Sequence, residues 1–176
     1  MTDNTAVQAL REAAVAKADE YYIDDAHPYG CAETTFMTLK SLYGLDAPED
    51  PAAAVALNGG IAYTGGPCGA VTGAALAVGM LAEERITDHG RAKTVARELV
   101  HEAIEAFAAE HGSVDCRELI GDDLRAPGPH HAFVESGLWK ERCAAQIRTV
   151  VAHLAGLADD DAWDAAVQEI EAAQGD

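Results

Sequence analysis

Apolar residues recur along much of the chain at the three- and four-residue spacing of one face of an α-helix. Four segments have this pattern over helical lengths: about Thr5–Asp24, Cys31–Tyr43, Asp88–Glu110 and Leu138–Leu157. Gly44 directly follows the second segment and Gly112 lies just beyond the third, where glycine commonly ends a helix. The pattern therefore predicts an all-α fold.

The stretch Pro51–Ala82 contains no charged residue and is long enough to raise the question of a membrane span. It consists mainly of alanine and glycine and lacks basic flanks, which favours two buried helices instead. We expect one helix to begin near Pro51 and the next at Pro67, with a glycine turn between them. In the second helix small residues recur every four positions and favour close helix packing, at Gly69, Gly73 and Ala77.

The C-terminal half contains shorter elements. Asp115 followed by Glu118 is a variant of the capping box and predicts a short helix. Asp122–Gly137 is rich in proline, glycine and histidine, which predicts a long irregular connection. Asp159 to Asp161 would cap a last helix within residues 158–176, which ends in a polar tail. We therefore expect residues 1–176 to form a single compact bundle of six to eight helices, with closely packed central helices rich in glycine and alanine.

The charge balance is strongly acidic. Asp and Glu number 30 against 12 Lys and Arg, a formal net charge of −18, so nucleic acid and anionic membrane surfaces would repel the chain. Such a surface is typical of a halophilic protein dissolved in concentrated salt, and it would also fit a basic partner. The N-terminus has neither a basic nor an apolar signal region, so we expect a cytoplasmic location.

Four cysteines are the candidates for redox or metal chemistry: Cys31, Cys68, Cys116 and Cys143. They are separated by 37, 48 and 27 residues, so no pair forms a local zinc, thioredoxin or haem-attachment motif. Each lies near the beginning of a predicted helix, where the helix dipole and free backbone amides lower the pKa of a thiol. The resulting thiolate attacks disulfides and binds iron or zinc.

The run from Asn58 to Gly73 contains six glycines in sixteen residues. It has neither GxGxxG nor GxxxxGK[ST], and no lysine lies nearby, so nucleotide binding has little support. Glycines beside Cys68 would instead let backbone N–H groups point at sulfur, and such hydrogen bonds tune a reduction potential.

These residues resemble a family of redox-active proteins named for the pattern Cys, then Gly-Cys-Ala-x-x-Gly, then Cys, then Cys. Gly30-Cys31-Ala32-Glu33 is similar to its first motif, and Cys68-Gly69-Ala70-Val71-Thr72-Gly73 to its second, with Gly69 between cysteine and alanine. Cys116 and Cys143 take the third and fourth places, and the resemblance spans about residues 29–146. It implies redox activity on an all-helical fold. A similar domain accompanies haem in certain multihaem cytochromes, where it is associated with an iron–sulfur cluster, although this chain has no haem-binding Cys-x-x-Cys-His.

Three kinds of chemistry fit four converging cysteines. The first is an iron–sulfur cluster of the 4Fe–4S or 2Fe–2S type, bound by all four, in an electron carrier or redox sensor with a redox partner protein. The second is metal-free thiol–disulfide exchange, with Cys68 as nucleophile and Cys31 or Cys143 as the resolving thiol. The third is a structural zinc site made by the same four residues.

Other side chains near the cysteines are secondary candidates. We expect His130 and His131 to be exposed loop residues, and His27 to belong to the turn with Pro28. Glu33, two residues beyond Cys31, is the carboxylate to test. The apolar faces of the helices predicted from Pro51 and Pro67 could also bury a homodimer contact.

Overall fold

The computed structural model describes residues 4–23 and 29–174. Within these ranges the chain forms eight α-helices and one 3₁₀ turn, and it has no strand. The α-helices are α1 Asn4–Tyr22, α2 Cys31–Tyr43, α3 Gly69–Arg85, α4 His89–His111, α5 Cys116–Ile120, α6 Pro129–Ser136, α7 Leu138–Leu154 and α8 Asp160–Gln174, and the 3₁₀ turn is Ala155–Ala158. The predicted all-α class and the number of helices are therefore confirmed.

The long amphipathic helices lie where their periodicity predicts them. α2 has the predicted bounds, and Gly44 ends it in the left-handed conformation. Gly112 ends α4 in the same way, and the Asp88 side chain caps its beginning by accepting from Arg91 N. Asp24, the predicted end of the first helix, lies outside the described residues.

The helix predicted to begin near Pro51 is wrong. The chain there forms short hydrogen-bonded turns, such as Ala54 N to Pro51 O at 2.8 Å, rather than a helix. A succession of positive φ angles, 64°, 70°, 60°, 51° and 62°, follows over residues 59–63. This left-handed turn is incompatible with a right-handed helix, so the alanine-rich segment before it is too short to form one.

In the C-terminal half the predicted short helix is confirmed as α5, while two other expectations are corrected. Part of the segment predicted to be irregular forms α6, which begins with Pro129 in its first turn and ends at Gly137. Asp115 precedes α5, but its side chain makes no capping hydrogen bond. Ser113 Oγ instead accepts from Asp115 N at 3.1 Å and donates to Glu118 at 2.5 Å. The backbone of Asp115 is extended because it pairs with Pro67 in an isolated antiparallel bridge.

The closest helix packing in the core joins α2 and α3. A Cβ atom at Gly73 would lie 2.3 Å from the carbonyl oxygen of Ala32, and one at Gly69 would lie 2.3 Å from Cys31 Sγ. Any side chain at these positions would therefore push the two helices apart. α3 begins at Gly69, two residues after the predicted start at Pro67. The predicted close packing of this glycine face is confirmed.

The C-terminal helices complete the bundle around α2. α7 packs against α1 and α2, and Tyr43 at the end of α2 donates to Leu154 O at 3.1 Å. α8 contacts α4, and the Arg85 guanidinium lies over the Trp163 ring. Among the helices of residues 4–23 and 29–174, none is long and apolar enough to cross a membrane.

Candidate functional site

Cys31 is the first residue of α2, and its sulfur lies against the beginning of α3. The missing side chain of Gly69 leaves the space that this sulfur occupies. The N-terminal ends of α2 and α3 therefore meet at Cys31.

A short backbone ladder brings Cys68 and Cys116 together. Cys68 N donates to Val114 O at 2.7 Å, and Cys116 N donates to Gly66 O at 2.8 Å. Cys68 is the N-cap residue of α3, and Cys116 is the first residue of α5. Two cysteines 48 residues apart in the sequence are thus fixed side by side by main-chain hydrogen bonds.

Cys143 comes from α7, the helix that closes the site from the opposite side. It is the sixth residue of this helix, so it lies in the second turn rather than at the N-terminus. One turn further along, the Gln146 side chain is only 5% exposed, and its Oε1 accepts from Cys68 Sγ at 3.5 Å. α7 therefore supplies both a thiol and a buried amide to the site.

The four thiols form one electrostatically coupled group. Negative charge on one cysteine acts on its neighbours in all six pairs that the four residues can form. All four are free cysteines, and all except Cys31 are buried. The structure therefore brings together the four residues that the sequence analysis selected.

Burial governs the pKa values of these thiols. It raises the pKa of Cys116 to about 11 and that of Cys143 to about 12, and it raises the pKa of Cys68 well above the ordinary value of 9.0. The expectation that helix N-termini lower these pKa values is wrong for the metal-free site, because the loss of hydration outweighs the helix dipole.

Cys31 has the most extensive set of backbone donors. Burial also raises its pKa, but the nearby backbone N–H groups of Gly59, Ala32, Cys31 and Gly69 oppose that effect. Backbone donors directed at sulfur stabilise a thiolate or a metal-bound sulfur. At Cys68 one such group, the N–H of Ala70, acts in the same sense.

A cavity of about 310 Å³ lies directly beside three of the cysteines, Cys31, Cys116 and Cys143. Its other walls are mainly aromatic and aliphatic, and the Tyr22 and Trp139 rings meet there edge to face at 5.2 Å. Cys68 does not line the cavity and is only 2% exposed. For thiol–disulfide chemistry, where Cys68 was the expected nucleophile, Cys31 is thus the more accessible thiol.

The left-handed turn of residues 59–63 forms one edge of this cavity. It carries Tyr63, whose ring meets the His130 ring of α6 edge to face at 5.0 Å. Both residues line the cavity, whereas His131 points away and pairs with Glu135 at 3.2 Å. His130 therefore contributes to the wall of the site, although the sequence predicted only a loop residue.

Glu33 acts on the site through Asn58. Its carboxylate accepts from Gly30 N at 2.8 Å and from Asn58 Nδ2 at 2.7 Å. Asn58 Oδ1 in turn accepts from Ala32 N at 3.0 Å and lies 3.9 Å from Cys31 Sγ. Glu33 is therefore a residue that positions the loop over Cys31. His27 lies outside the described residues.

Sequence reasoning missed the roles of Asn58 and Gln146. Asn58 stands in the glycine-rich run, where its side chain had no assigned role. Gln146 lies three residues after Cys143, on the buried face of an amphipathic helix, and a glutamine on such a face was the signal that could have identified it. No group of three or more His, Cys, Asp or Glu side chains in the described ranges has an arrangement that could hold a single metal ion.

A family model described as "Putative redox-active protein (C_GCAxxG_C_C)" matches residues 29–157, well over half of the chain. The chain belongs to this family. The four coupled cysteines all lie inside the matched segment, as do Asn58, Gln146 and the residues that line the cavity, apart from Tyr22. No curated protein and no solved structure gave a significant match.

Proposed function

We propose that this redox-family protein binds an iron–sulfur cluster through Cys31, Cys68, Cys116 and Cys143 and serves in electron transfer or redox sensing. The observation that carries the proposal is that all four thiols meet at one largely buried site: Cys31, Cys116 and Cys143 line one cavity, and backbone hydrogen bonds hold Cys68 beside Cys116. Four buried thiolates would repel one another strongly, and cationic iron removes that repulsion. An all-sulfur donor set is also the one that iron–sulfur clusters prefer.

Two further features fit the cluster. Backbone N–H groups are directed at the Cys31 and Cys68 sulfurs, and such donors stabilise the reduced, more negative form. The cavity beside Cys31, Cys116 and Cys143 gives space next to the thiols, with walls that limit the access of water. The ligands of a cluster bind different iron atoms, so they need not converge on one point as the ligands of a single ion do.

When bound, the cluster would supply reversible one-electron transfer. The residues of this chain would set its properties. Gln146 would hold Cys68, the amides around Gly59 and Gly69 would hydrogen bond to Cys31, and the aromatic wall would keep the surroundings apolar. These contacts tune the reduction potential through hydrogen bonding and burial.

Thiol–disulfide exchange is the second candidate, and the partial exposure of Cys31 favours it. In this chemistry the Cys31 thiolate would attack a substrate disulfide and release one substrate thiolate. Cys116 or Cys143, which line the same cavity, would then attack the mixed disulfide. The products would be a protein disulfide and the second substrate thiol. A zinc site is the remaining alternative.

The test is anaerobic purification in high salt, followed by an absorption spectrum and assays of iron, acid-labile sulfide and zinc on the same sample. We expect broad violet and blue absorption with stoichiometric iron and sulfide. Cys143→Ser should lose most of this absorption. The matched control is His131→Ala, because this histidine lies near the cavity but does not line it.

A colourless protein that binds no iron after reconstitution would overturn the cluster. Mass spectrometry after mild oxidation would then distinguish the alternatives. A disulfide from Cys31 to Cys116 or Cys143 supports exchange chemistry, whereas one bound zinc with four protected thiols supports the zinc site.

The acidic composition also bears on the cellular environment and the partner of the protein. We infer a cytoplasmic, salt-rich environment from the acidic composition, with a redox partner protein as electron donor or acceptor. Measuring the unfolding temperature over a range of salt concentrations tests the halophilic part, because a halophilic chain gains stability as salt screens its repulsion.

A further inference from the structure

The outer surface of α3 and α4 carries an uncovered apolar groove. On the α3 side it is lined by Ala75, Leu76, Gly79 and Met80. Small and aliphatic α4 side chains line the other side, at Ala96, Val100 and Ile104. Met80 is 41% exposed. None of the four cysteines lines this groove.

α3 has no charged residue between Gly69 and Ala82, so even its solvent-facing positions there are uncharged. A helix that is apolar on all sides is normally covered on all sides. In a chain of net charge −18, a helical stretch as long as Gly69–Ala82 without any charge is an exception that calls for a covering partner.

Gly79 is the second indication that a partner covers the outer face of α3. A Cβ atom at this position would meet nothing within 4 Å, unlike one at Gly69 or Gly73. Glycine in the middle of a helix costs about 1 kcal/mol relative to alanine, and nothing within the described chain uses the missing side chain. A helix approaching from outside would use it, because small residues let two helices come close.

The charges beside the groove are balanced, in contrast to the rest of the surface. Glu83 and Glu84 stand at one end of α3, and Lys93 and Arg97 stand on α4. Both cations are exposed, and neither makes an ion pair or a side-chain hydrogen bond with any residue in the described ranges. A two-fold contact requires a self-complementary surface. The unpaired Lys93 and Arg97 of one copy meet that requirement with Glu83 and Glu84 of the other, and Glu83 also contacts His89 Nδ1 at 2.6 Å within its own chain.

We propose that this groove is the interface of a homodimer, in which α3 and α4 of one copy pack against α3 and α4 of a second. The two helix pairs stack face to face, with Met80 and Gly79 near the centre of the contact and the acids of each copy beside Lys93 and Arg97 of the other. The face is about 25 Å long and roughly 20 Å wide, on the order of 500 Å² for each copy and about 1,000 Å² in total, which is the size of a weak, reversible interface. The cysteine sites remain outside the contact, so the proposal is independent of the bound cofactor.

The first experiment is light scattering and sedimentation of the full chain at about 100 μM in high and low salt. We expect twice the 18.4 kDa of one chain. Met80→Glu should weaken the dimer by at least tenfold, since it places a charge at the centre of the interface. The matched control is Val55→Glu, which changes a side chain that is 54% exposed and outside the groove, and should leave the mass unchanged.

The second experiment tests the charges. The double variant Glu83→Lys with Glu84→Lys has an all-basic groove, and Lys93→Glu with Arg97→Glu has an all-acidic one. Each should be monomeric alone at low salt, and an equal mixture should form heterodimers. A monomeric wild-type chain, or a dimer that Met80→Glu does not weaken, would overturn the proposal, as would a mixture that stays monomeric.

Discussion

Both faces of α3 carry glycines, but the inner glycines are packed against α2 and the outer one is uncovered. On the inner face Gly69 and Gly73 are in contact with Cys31 and Ala32. On the outer face Gly79 borders an open groove. The fold of a single chain accounts for the inner glycines and leaves the outer one unexplained. The comparison shows that glycine spacing alone does not distinguish a contact inside the chain from one between chains.

Alkaline pH should lower the free energy of unfolding through the four cysteines, which lie on the inner side. In the reduced, metal-free chain the pKa of Cys116 is about 11 and that of Cys143 about 12, against the ordinary value of 9.0. Above pH 9 the unfolded chain releases protons that the folded chain retains, so the free energy of unfolding falls as the pH rises towards 11. The slope is on the order of 1 kcal/mol per pH unit for each thiol.

Urea unfolding between pH 8 and about pH 11 measures this slope. Cys143→Ala should make it shallower, while Met80→Glu on the outer face should leave it unchanged. A slope that Cys143→Ala does not alter would show that the buried thiols are not its source.

Gly73→Ala should destabilise the fold by about 3 kcal/mol. The added methyl group would lie 2.3 Å from the carbonyl of Ala32, and backbone atoms of two packed helices cannot yield without moving the helices apart. The measurement is the urea midpoint of the reduced protein. A midpoint equal to that of the wild type would mean that α2 and α3 are less closely packed than described.

Gly69→Ala should affect the redox site more than the fold. Its methyl group would displace Cys31 Sγ, and we expect a stability loss of about 1–2 kcal/mol together with reduced iron binding. Iron assays on the refolded variant, with Gly90→Ala as a surface control, test this expectation. A normal iron content in Gly69→Ala would show that iron binding does not depend on the missing side chain of Gly69.

Gly79→Ala should have the smallest effect and the opposite sign. In a monomeric Met80→Glu background it should stabilise the chain by about 0.5–1 kcal/mol, because alanine favours the helix and nothing clashes with it. In the wild-type background the same change should weaken dimerisation. Destabilisation in the monomeric background would show that Gly79 has a role within one chain.

The sequence predicts the long helices well because their apolar residues recur at helical spacing and a glycine marks the helix end. The apolar stripes and terminal glycines of α2 and α4 are local signals, and they agree with the tertiary packing. The eight-residue α6 spans about two turns and has no buried residue, so its apolar pattern is too short to identify a helix. Pro129 in its first turn and Gly137 after its end are residue types that also occur in loops, so the sequence predicts an irregular segment there.

For the site, the sequence predicts which cysteines are involved and leaves out what surrounds them. The pairing of Cys68 with Cys116 depends on an isolated backbone bridge between residues far apart in the sequence, which no local pattern encodes. The left-handed turn that carries Tyr63 includes Ile61 and Ala62, residues that rarely adopt positive φ. Burial also reversed the expected pKa shifts, because burial depends on all the surrounding elements.

The main-chain pairing of Cys68 with Cys116 implies an order of assembly. It encloses only α3 and α4, so it can close as soon as that hairpin has left the ribosome. Cys143 and Gln146 are synthesised later, and they arrive with the helix that covers the other side. Until α7 is synthesised, a chain in which this pairing has closed has three thiols gathered and one side open. A cofactor of the proposed kind would have its widest access to the thiols in this interval, before α7 docks.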